Sequence, residues 1–204
     1  ILGRRADGFH ELETLFHPVN LCDQLTFQRR GAGIQLTCSE AGLPTDAGNL
    51  VHRAATKFLE TAGISDGIRI HLDKRIPLAA GLGGGSGNAA TTLLGLNELF
   101  GGVMPLAQLH ILAATLGSDV NFFLQNQPAL AVGRGEQVTA VEDFAALRGA
   151  SFFLIHPGFG ISTPWAYREL TRFPAALHGQ PGRAQRLIQL LRAGAASSTS
   201  ARAL

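Results

Sequence analysis

The segment that most constrains this chain runs Pro77-Leu78-Ala79-Ala80-Gly81-Leu82-Gly83-Gly84-Gly85-Ser86-Gly87, immediately before Asn88-Ala89-Ala90. Five of the seven residues from Gly81 to Gly87 are glycine. They follow a strand-like alternation, Ile68-Arg69-Ile70-His71-Leu72, and precede an Ala- and Leu-rich stretch that predicts a helix over Asn88 to Phe100. Glycines at the mouth of a helix let backbone N–H groups approach an anion at the positive end of the helix dipole. The segment is therefore a candidate phosphate cradle. It is not a Walker loop, because no Gly-Lys-Ser/Thr closes it. It is not a dinucleotide fingerprint either, because no acidic residue follows about 20 residues on after a second strand. Ser86 is the hydroxyl best placed to touch a phosphate or a phosphate-bound Mg²⁺. A flexible Gly-rich linker has a similar composition, but a linker has no reason to open a helix.

Around this loop the pattern predicts a mixed α and β chain. Glu11 to Val19 has the β-branched and aromatic content of a strand. Gln24 to Arg30 and Gly33 to Ser39 alternate more clearly and predict a hairpin through Gly31 and Gly33. Asn49 caps a helix over Leu50 to Ala62, with apolar residues at spacings of three and four, and Gly63 stops it. A further helix is expected over Leu106 to Leu116, ending at Gly117. Strands follow at Ala129 to Val132, Gln137 to Val141 and Ser151 to Ile155, then helices near Pro164 to Leu170 and Arg183 to Arg192. The tail, Ala195 to Leu204, has no apolar period and reads as disordered. A domain boundary is expected near Arg148.

Composition narrows the function classes. The 204 residues carry a net charge of only +2, with scattered basic residues, which argues against a nucleic-acid partner. Cys22 and Cys38 form neither a Cys-x-x-Cys pair nor a metal spacing, so reduced thiols in a cytoplasm are expected. No run reaches the roughly 18–20 apolar residues of a membrane span, so no membrane partner is expected. The first residue is not Met and the chain opens directly into an ordered-looking motif, from which upstream sequence is expected.

Pro77 to Gly87 resembles the phosphate-binding motif of the GHMP kinases, Pro-x-x-x-Gly-Leu-Gly followed by small residues. Its Gly-Gly-Gly-Ser form, followed by Asn-Ala-Ala, is similar to the diphosphocytidyl-methylerythritol kinases within that superfamily. Gly87 departs from the Ser usually found there. Three other segments match in order. Gly3-Arg4-Arg5-Ala6-Asp7-Gly8-Phe9-His10-Glu11-Leu12 is similar to the start of the same kinases, with Phe9-His10 where they have Tyr-His. Gly117-Ser118-Asp119-Val120 is similar to their Gly-x-Asp segment, with Asn121 in place of a usual Pro. Phe153 to Tyr167 resembles the opening of their second domain.

The resemblance implies an α+β fold: a GHMP kinase N-terminal domain of the ribosomal protein S5 domain 2-like type over residues 1–148, and the start of a second α+β domain over 149–204. It implies ATP and Mg²⁺ as cofactors. The implied reaction is phosphorylation of the 2-hydroxyl of a cytidine diphosphate-linked polyol in non-mevalonate isoprenoid synthesis, by a cytoplasmic monomer or weak homodimer. Asp119 is implied as catalytic base, Pro77 to Gly87 as the ATP-binding loop with Ser86 toward Mg²⁺, and Phe9, His10 and Tyr167 as the cytidine grip. Trp165 competes with Tyr167 for the stacking role. Read alone, Asp119 is first of all an N-cap, His10 a loop histidine, and the two aromatics core packing. Two alternatives stand beside this one: a sister kinase acting on homoserine, mevalonate or a sugar, and a non-catalytic nucleotide-binding fragment. The family's Lys on a strand before the Gly-Arg-Arg segment and its C-terminal Gly-rich motif have no counterpart in the 204 residues, so truncation at both ends and poor activity of the chain as written are expected.

Overall fold

The computed structural model describes residues 1–125 and 127–197. The elements run β1 (Gly3–Arg4), β2 (His10–Phe16), β3 (Gln24–Arg29), β4 (Ile34–Cys38), α1 (Leu50–Ala62), β5 (Ile68–Asp73), α2 (Gly84–Leu99), α3 (Leu106–Leu116), β6 (Ala129–Gly133), β7 (Gln137–Ala140), α4 (Thr163–Glu169) and α5 (Arg183–Ser197). They divide into two compact units. One comprises Val19–Gln125; the other comprises Ile1–Pro18 with 126–204. Among the described residues, no helix is long and apolar enough to cross a membrane.

In the Val19–Gln125 unit, the strand order is β3-β5-β4. The expected hairpin between β3 and β4 does not form. Instead β5 lies between them, antiparallel to β3 and parallel to β4. The cause is visible in both segments. Ile68, Ile70 and Leu72 on one face of β5 are almost completely buried, which suits the centre of a sheet better than either β3 or β4 does. The Gly31-Ala32-Gly33 connection arches over the start of β5: Arg30 N–H donates to the Gly67 carbonyl and Ile68 N–H to the Gly33 carbonyl, each at 2.8 Å. A Cβ on Gly67 would stand 2.2 Å from the Gly31 carbonyl oxygen, so only glycine allows this crossing.

Helix α1 supplies the connection between parallel β4 and β5, which a short turn cannot make. Its limits follow local rules. The Asn49 side chain accepts the Val51 N–H at 2.9 Å, and Gly63 ends the helix with φ 64°. Val51, Ala54, Ala55 and Phe58 form its fully buried face. They join Ala89, Ala90, Leu93 and Leu96 of α2 and the inner face of β5 in one core. Each fully buried large side chain here contributes about 1.5–3 kcal/mol relative to exposure. Helix α2 lies against β3 at Gly95, where a Cβ would meet the Phe27 ring at 2.5 Å.

In the other unit, an antiparallel sheet has the order β1-β2-β6-β7. Helix α5 docks on β2 by its N-terminus. The Glu13 carboxylate accepts the N–H groups of Gly182 and Ala184, each at 2.8 Å. That satisfies two donors that have no intrahelical acceptor and places negative charge at the positive helix end. Among the described residues no strand forms at 151–155. Phe152, Phe153, Leu154 and Ile155 are exposed, and their continuous apolar run, without alternation, pointed to β structure only if a neighbouring strand were there to pair it. Helix α5 continues to Ser197, into the start of the segment expected to be disordered; residues 198–204 lie outside the described residues.

Candidate functional site

Helix α2 begins at Gly84, four residues before the expected Asn88. The glycines are therefore not only a loop; Gly84, Gly85, Ser86 and Gly87 are the first turn of the helix. Gly83 makes this possible by taking φ 68° as its N-cap, and Gly87 N–H closes onto the Gly83 carbonyl at 2.8 Å. Gly83 offers no side-chain cap. The N–H groups of the first helical residues have no acceptor within the helix, which leaves them for an external anion. The absent Cβ atoms also make room for packed neighbours. At Gly83 a Cβ would stand 2.7 Å from the Phe123 ring, and at Gly84 it would stand 3.1 Å from Ile76.

The loop also holds a residue that its sequence did not single out. Ala79 has φ 51°, in the left-handed region, and is exposed. A non-glycine residue there costs roughly 1–2 kcal/mol, while glycine adds about 0.4–1 kcal/mol of chain entropy to the unfolded state. Ala79→Gly is therefore expected to stabilise the protein by up to about 1 kcal/mol. A denaturant midpoint that falls in this variant would contradict the left-handed backbone.

Asp119 follows α3 through Gly117 and Ser118 and precedes a 3₁₀ turn, Val120–Leu124. It stands at an N-cap position, but its carboxylate makes no cap hydrogen bond. Partial desolvation pushes its pKa above the usual carboxylate range. The turn is fixed by its neighbours. Val120, Phe122 and Leu124 are buried, and His110 Nδ1 of α3 lies 3.1 Å from Asn121 Oδ1, which tethers the turn to α3. Phe123 from the same turn seats against α2, close enough that a Cβ on Gly87 would touch its ring at 3.4 Å. The carboxylate turn and the glycine-rich helix start are thus packed together within one unit. Phe123 gave no signal in sequence beyond being apolar.

In the other unit, His10, the first residue of β2, stacks on Tyr167 of α4 with ring centroids 4.8 Å apart and planes 25° apart. At that spacing the two rings are in contact, so a third ring stacks on an outer face or parts them. Phe9 lies under the Arg134 guanidinium at 4.8 Å and is half exposed, a cation–π contact. Of the two competing aromatics, Tyr167 is the one that meets His10; Trp165 is also half exposed. The segment Asp7-Gly8-Phe9 turns on Gly8, φ 84°, with Phe9 N–H donating to Asp7 at 3.1 Å.

A buried cluster beside the loop escaped the sequence entirely. The Asp23 carboxylate and Lys74 ammonium are 2.8 Å apart and almost fully buried. Asp23 also accepts hydrogen bonds from the Arg75 and Ile76 N–H groups and from the Asn88 side chain.

The Val19–Gln125 unit thus combines a small three-stranded sheet backed by helices with a glycine-rich helix start and a carboxylate turn packed against that helix. Residues 49–134 match the family model for the GHMP kinases N terminal domain. The chain is 44% identical over 170 residues to the 4-diphosphocytidyl-2-C-methyl-D-erythritol kinase of Protochlamydia amoebophila, covering 83% of this chain and 58% of that protein. It is 47% identical over 170 residues to the enzyme of the same name from Syntrophus aciditrophicus, covering 83% and 60%. A solved structure of 4-(cytidine 5'-diphospho)-2C-methyl-D-erythritol kinase matches with a TM-score of 0.73 and 36% identity, over 95% of this chain and 67% of that one. The chain therefore spans about 60% of the length of the curated relatives it matches. It belongs to the 4-diphosphocytidyl-2-C-methyl-D-erythritol kinase family of the GHMP kinases.

Proposed function

We propose that this chain carries the ATP-binding and phosphoryl-transfer residues of a kinase that phosphorylates the 2-hydroxyl of 4-diphosphocytidyl-2-C-methyl-D-erythritol. The observation that carries the proposal is the packing of the Asp119 turn, through Phe123, on the glycine-rich start of α2. Phosphoryl transfer to an alcohol needs an anion cradle and a carboxylate that orients the hydroxyl, and this unit contains both. The first-turn amides of α2 bind the phosphates. Asp119 orients the acceptor hydroxyl and accepts its proton, a role favoured by a raised pKa. Bound ATP with Mg²⁺ supplies the transferable phosphoryl group and neutralises part of its charge.

Ser86 fits as a Mg²⁺ ligand: its hydroxyl is a hard oxygen in the first turn of α2, and Mg²⁺ takes few protein ligands when phosphates supply the others. Phe9, His10 and Tyr167 serve the cytidine, with His10 offering both a donor and an acceptor to the pyrimidine edge. We also propose a division near Arg148, with residues 1–148 the ATP-binding domain and 149–204 the opening of the second.

The test is ADP release with the cytidyl-methylerythritol substrate, its uridine analogue, homoserine and mevalonate. The cytidine substrate is expected to be preferred, and His10→Ala to lessen its preference over uridine by about 1–3 kcal/mol through an unpaired polar group. Equal rates with both bases, or a preference for homoserine or mevalonate, would point to a different GHMP substrate.

A further inference from the structure

The phosphate-binding segment begins at Pro77 and its last glycine is Gly87, so the residues that set its span are 74–76 on one side and 88 on the other. A single buried carboxylate holds both sides. Asp23, just before β3, accepts the N–H groups of Arg75 and Ile76 through Oδ1, each at 2.7 Å. Its Oδ2 accepts the Asn88 Nδ2–H at 2.9 Å and pairs with Lys74 Nζ at 2.8 Å. Lys74 in turn donates to the Ile76 carbonyl. Its ammonium stands 3.3 Å from where a Cβ on Gly84 would lie, at the first residue of α2. Asn88 is itself buried, and its carbonyl is fixed by the Thr92 hydroxyl at 2.7 Å.

Three N–H donors and one ammonium converge on this one carboxylate. The three N–H donors and the ammonium together hold its carboxyl below the usual carboxylate range even though burial pushes the other way. A segment as rich in glycine as 81–87 has large conformational freedom of its own, and an anion cradle works only if its amides converge before the anion arrives. Asp23 supplies the constraint that the glycines lack.

We propose that Asp23 is the positioning residue of the phosphate loop: by bridging Arg75–Ile76 to Asn88 it fixes the span of residues 77–87 and keeps the first-turn amides of α2 ready for nucleotide phosphate. This rests on the nucleotide-binding role of the loop given above, and the experiment separates the two. Three variants are compared with the parent: Asp23→Leu, which removes both acceptor oxygens, Lys74→Gln, and the double variant, which leaves no unpaired buried charge and so guards against simple unfolding. Amide hydrogen exchange over residues 77–88 is followed without nucleotide, and ATP affinity is measured by calorimetry at a temperature where circular dichroism shows each variant folded.

Asp23→Leu and the double variant are expected to exchange at least tenfold faster over 77–88, with no such change in α1 or α3, and to bind ATP at least tenfold more weakly. Lys74→Gln, which leaves the three N–H contacts of Asp23 in place, is expected to keep the loop protected. Unchanged exchange over 77–88 in the folded double variant overturns the positioning role. Failure of the parent to bind ATP, with the exchange pattern as expected, leaves Asp23 as the loop's clamp and removes the nucleotide instead.

Discussion

Gly84→Asp is expected to lower ATP affinity at least about 100-fold, a loss of roughly 2.7 kcal/mol. The side chain begins at the first residue of α2, where its Cβ would stand 3.1 Å from Ile76 Cγ2 and 3.3 Å from Lys74 Nζ. A carboxylate there is favoured by the positive end of the helix, but the neighbouring Lys74 ammonium is already paired with Asp23. The new carboxylate occupies, within the protein, the place an incoming phosphate would take. The variant is expected to be less stable than the parent, because Asp23 already neutralises Lys74, and, at a temperature where circular dichroism shows it folded, to fail at binding, because negative charge already stands at the helix start. Gly84→Ala separates crowding from charge: it adds the same Cβ without the anion and is expected to lose far less affinity. Calorimetry with ATP and Mg²⁺ reads both. In the parent protein the same ligand is expected to slow amide exchange across Gly81 to Asn88. Parent-like affinity in Gly84→Asp would remove the loop from the nucleotide site.

How much of this was legible before the structure depended on the distance over which each feature is encoded. Helix α1 is bounded as expected at both ends because Asn49 and Gly63 act within a few residues, and α3 ends where Gly117 follows it. The start of α2 was misplaced by four residues because glycine has low helix propensity, so Gly84 to Gly87 read as loop. The helix forms through them because Gly83 takes the left-handed conformation and the following turn closes onto its carbonyl. The β3–β4 hairpin was a local inference from two alternating segments and a glycine turn. The strand that displaces it comes from after α1, and no local pattern reveals which of three strands will be central. Asp23 is the extreme case. Its partners lie 52, 53 and 65 positions away, so neither spacing nor motif marks it. The candidate phosphate loop stands out because it is a short segment of distinctive composition, whereas Asp119 as candidate base comes only from the resemblance of Gly117-Ser118-Asp119-Val120 to the kinase segment. Their mutual packing was not legible, because it depends on Phe123 filling the space left by Gly83 and Gly87.

Asp119→Asn is expected to reduce turnover by about 10²–10⁴-fold, the usual contribution of a positioned proton acceptor, while leaving ATP affinity close to that of the parent. Asparagine keeps the shape of the side chain but cannot take a proton from the acceptor hydroxyl, so the loss belongs in kcat and not in nucleotide binding. The pKa of Asp119 fixes two further signs. Desolvation raises it, so the rate of the parent should fall, as pH is lowered, at a higher pH than an ordinary carboxylate would give. For stability, an acid whose folded pKa lies above its unfolded one makes a favourable contribution that is fully present below the unfolded value and is lost as pH rises through the folded value. At neutral pH the ionised Asp119 therefore weakens the fold, and it has no cap hydrogen bond to offset this. Asp119→Asn should accordingly have a higher Tm than the parent at pH 7, with the difference shrinking as pH falls through the raised pKa. A group held in place for structure would show the reverse, losing stability on neutralisation. Gain of stability together with loss of turnover is the pattern expected of a residue kept for chemistry at some cost to the fold. An Asp119→Asn protein that turns over like the parent assigns the base elsewhere, and one that is both inactive and less stable at pH 7 makes Asp119 a structural cap.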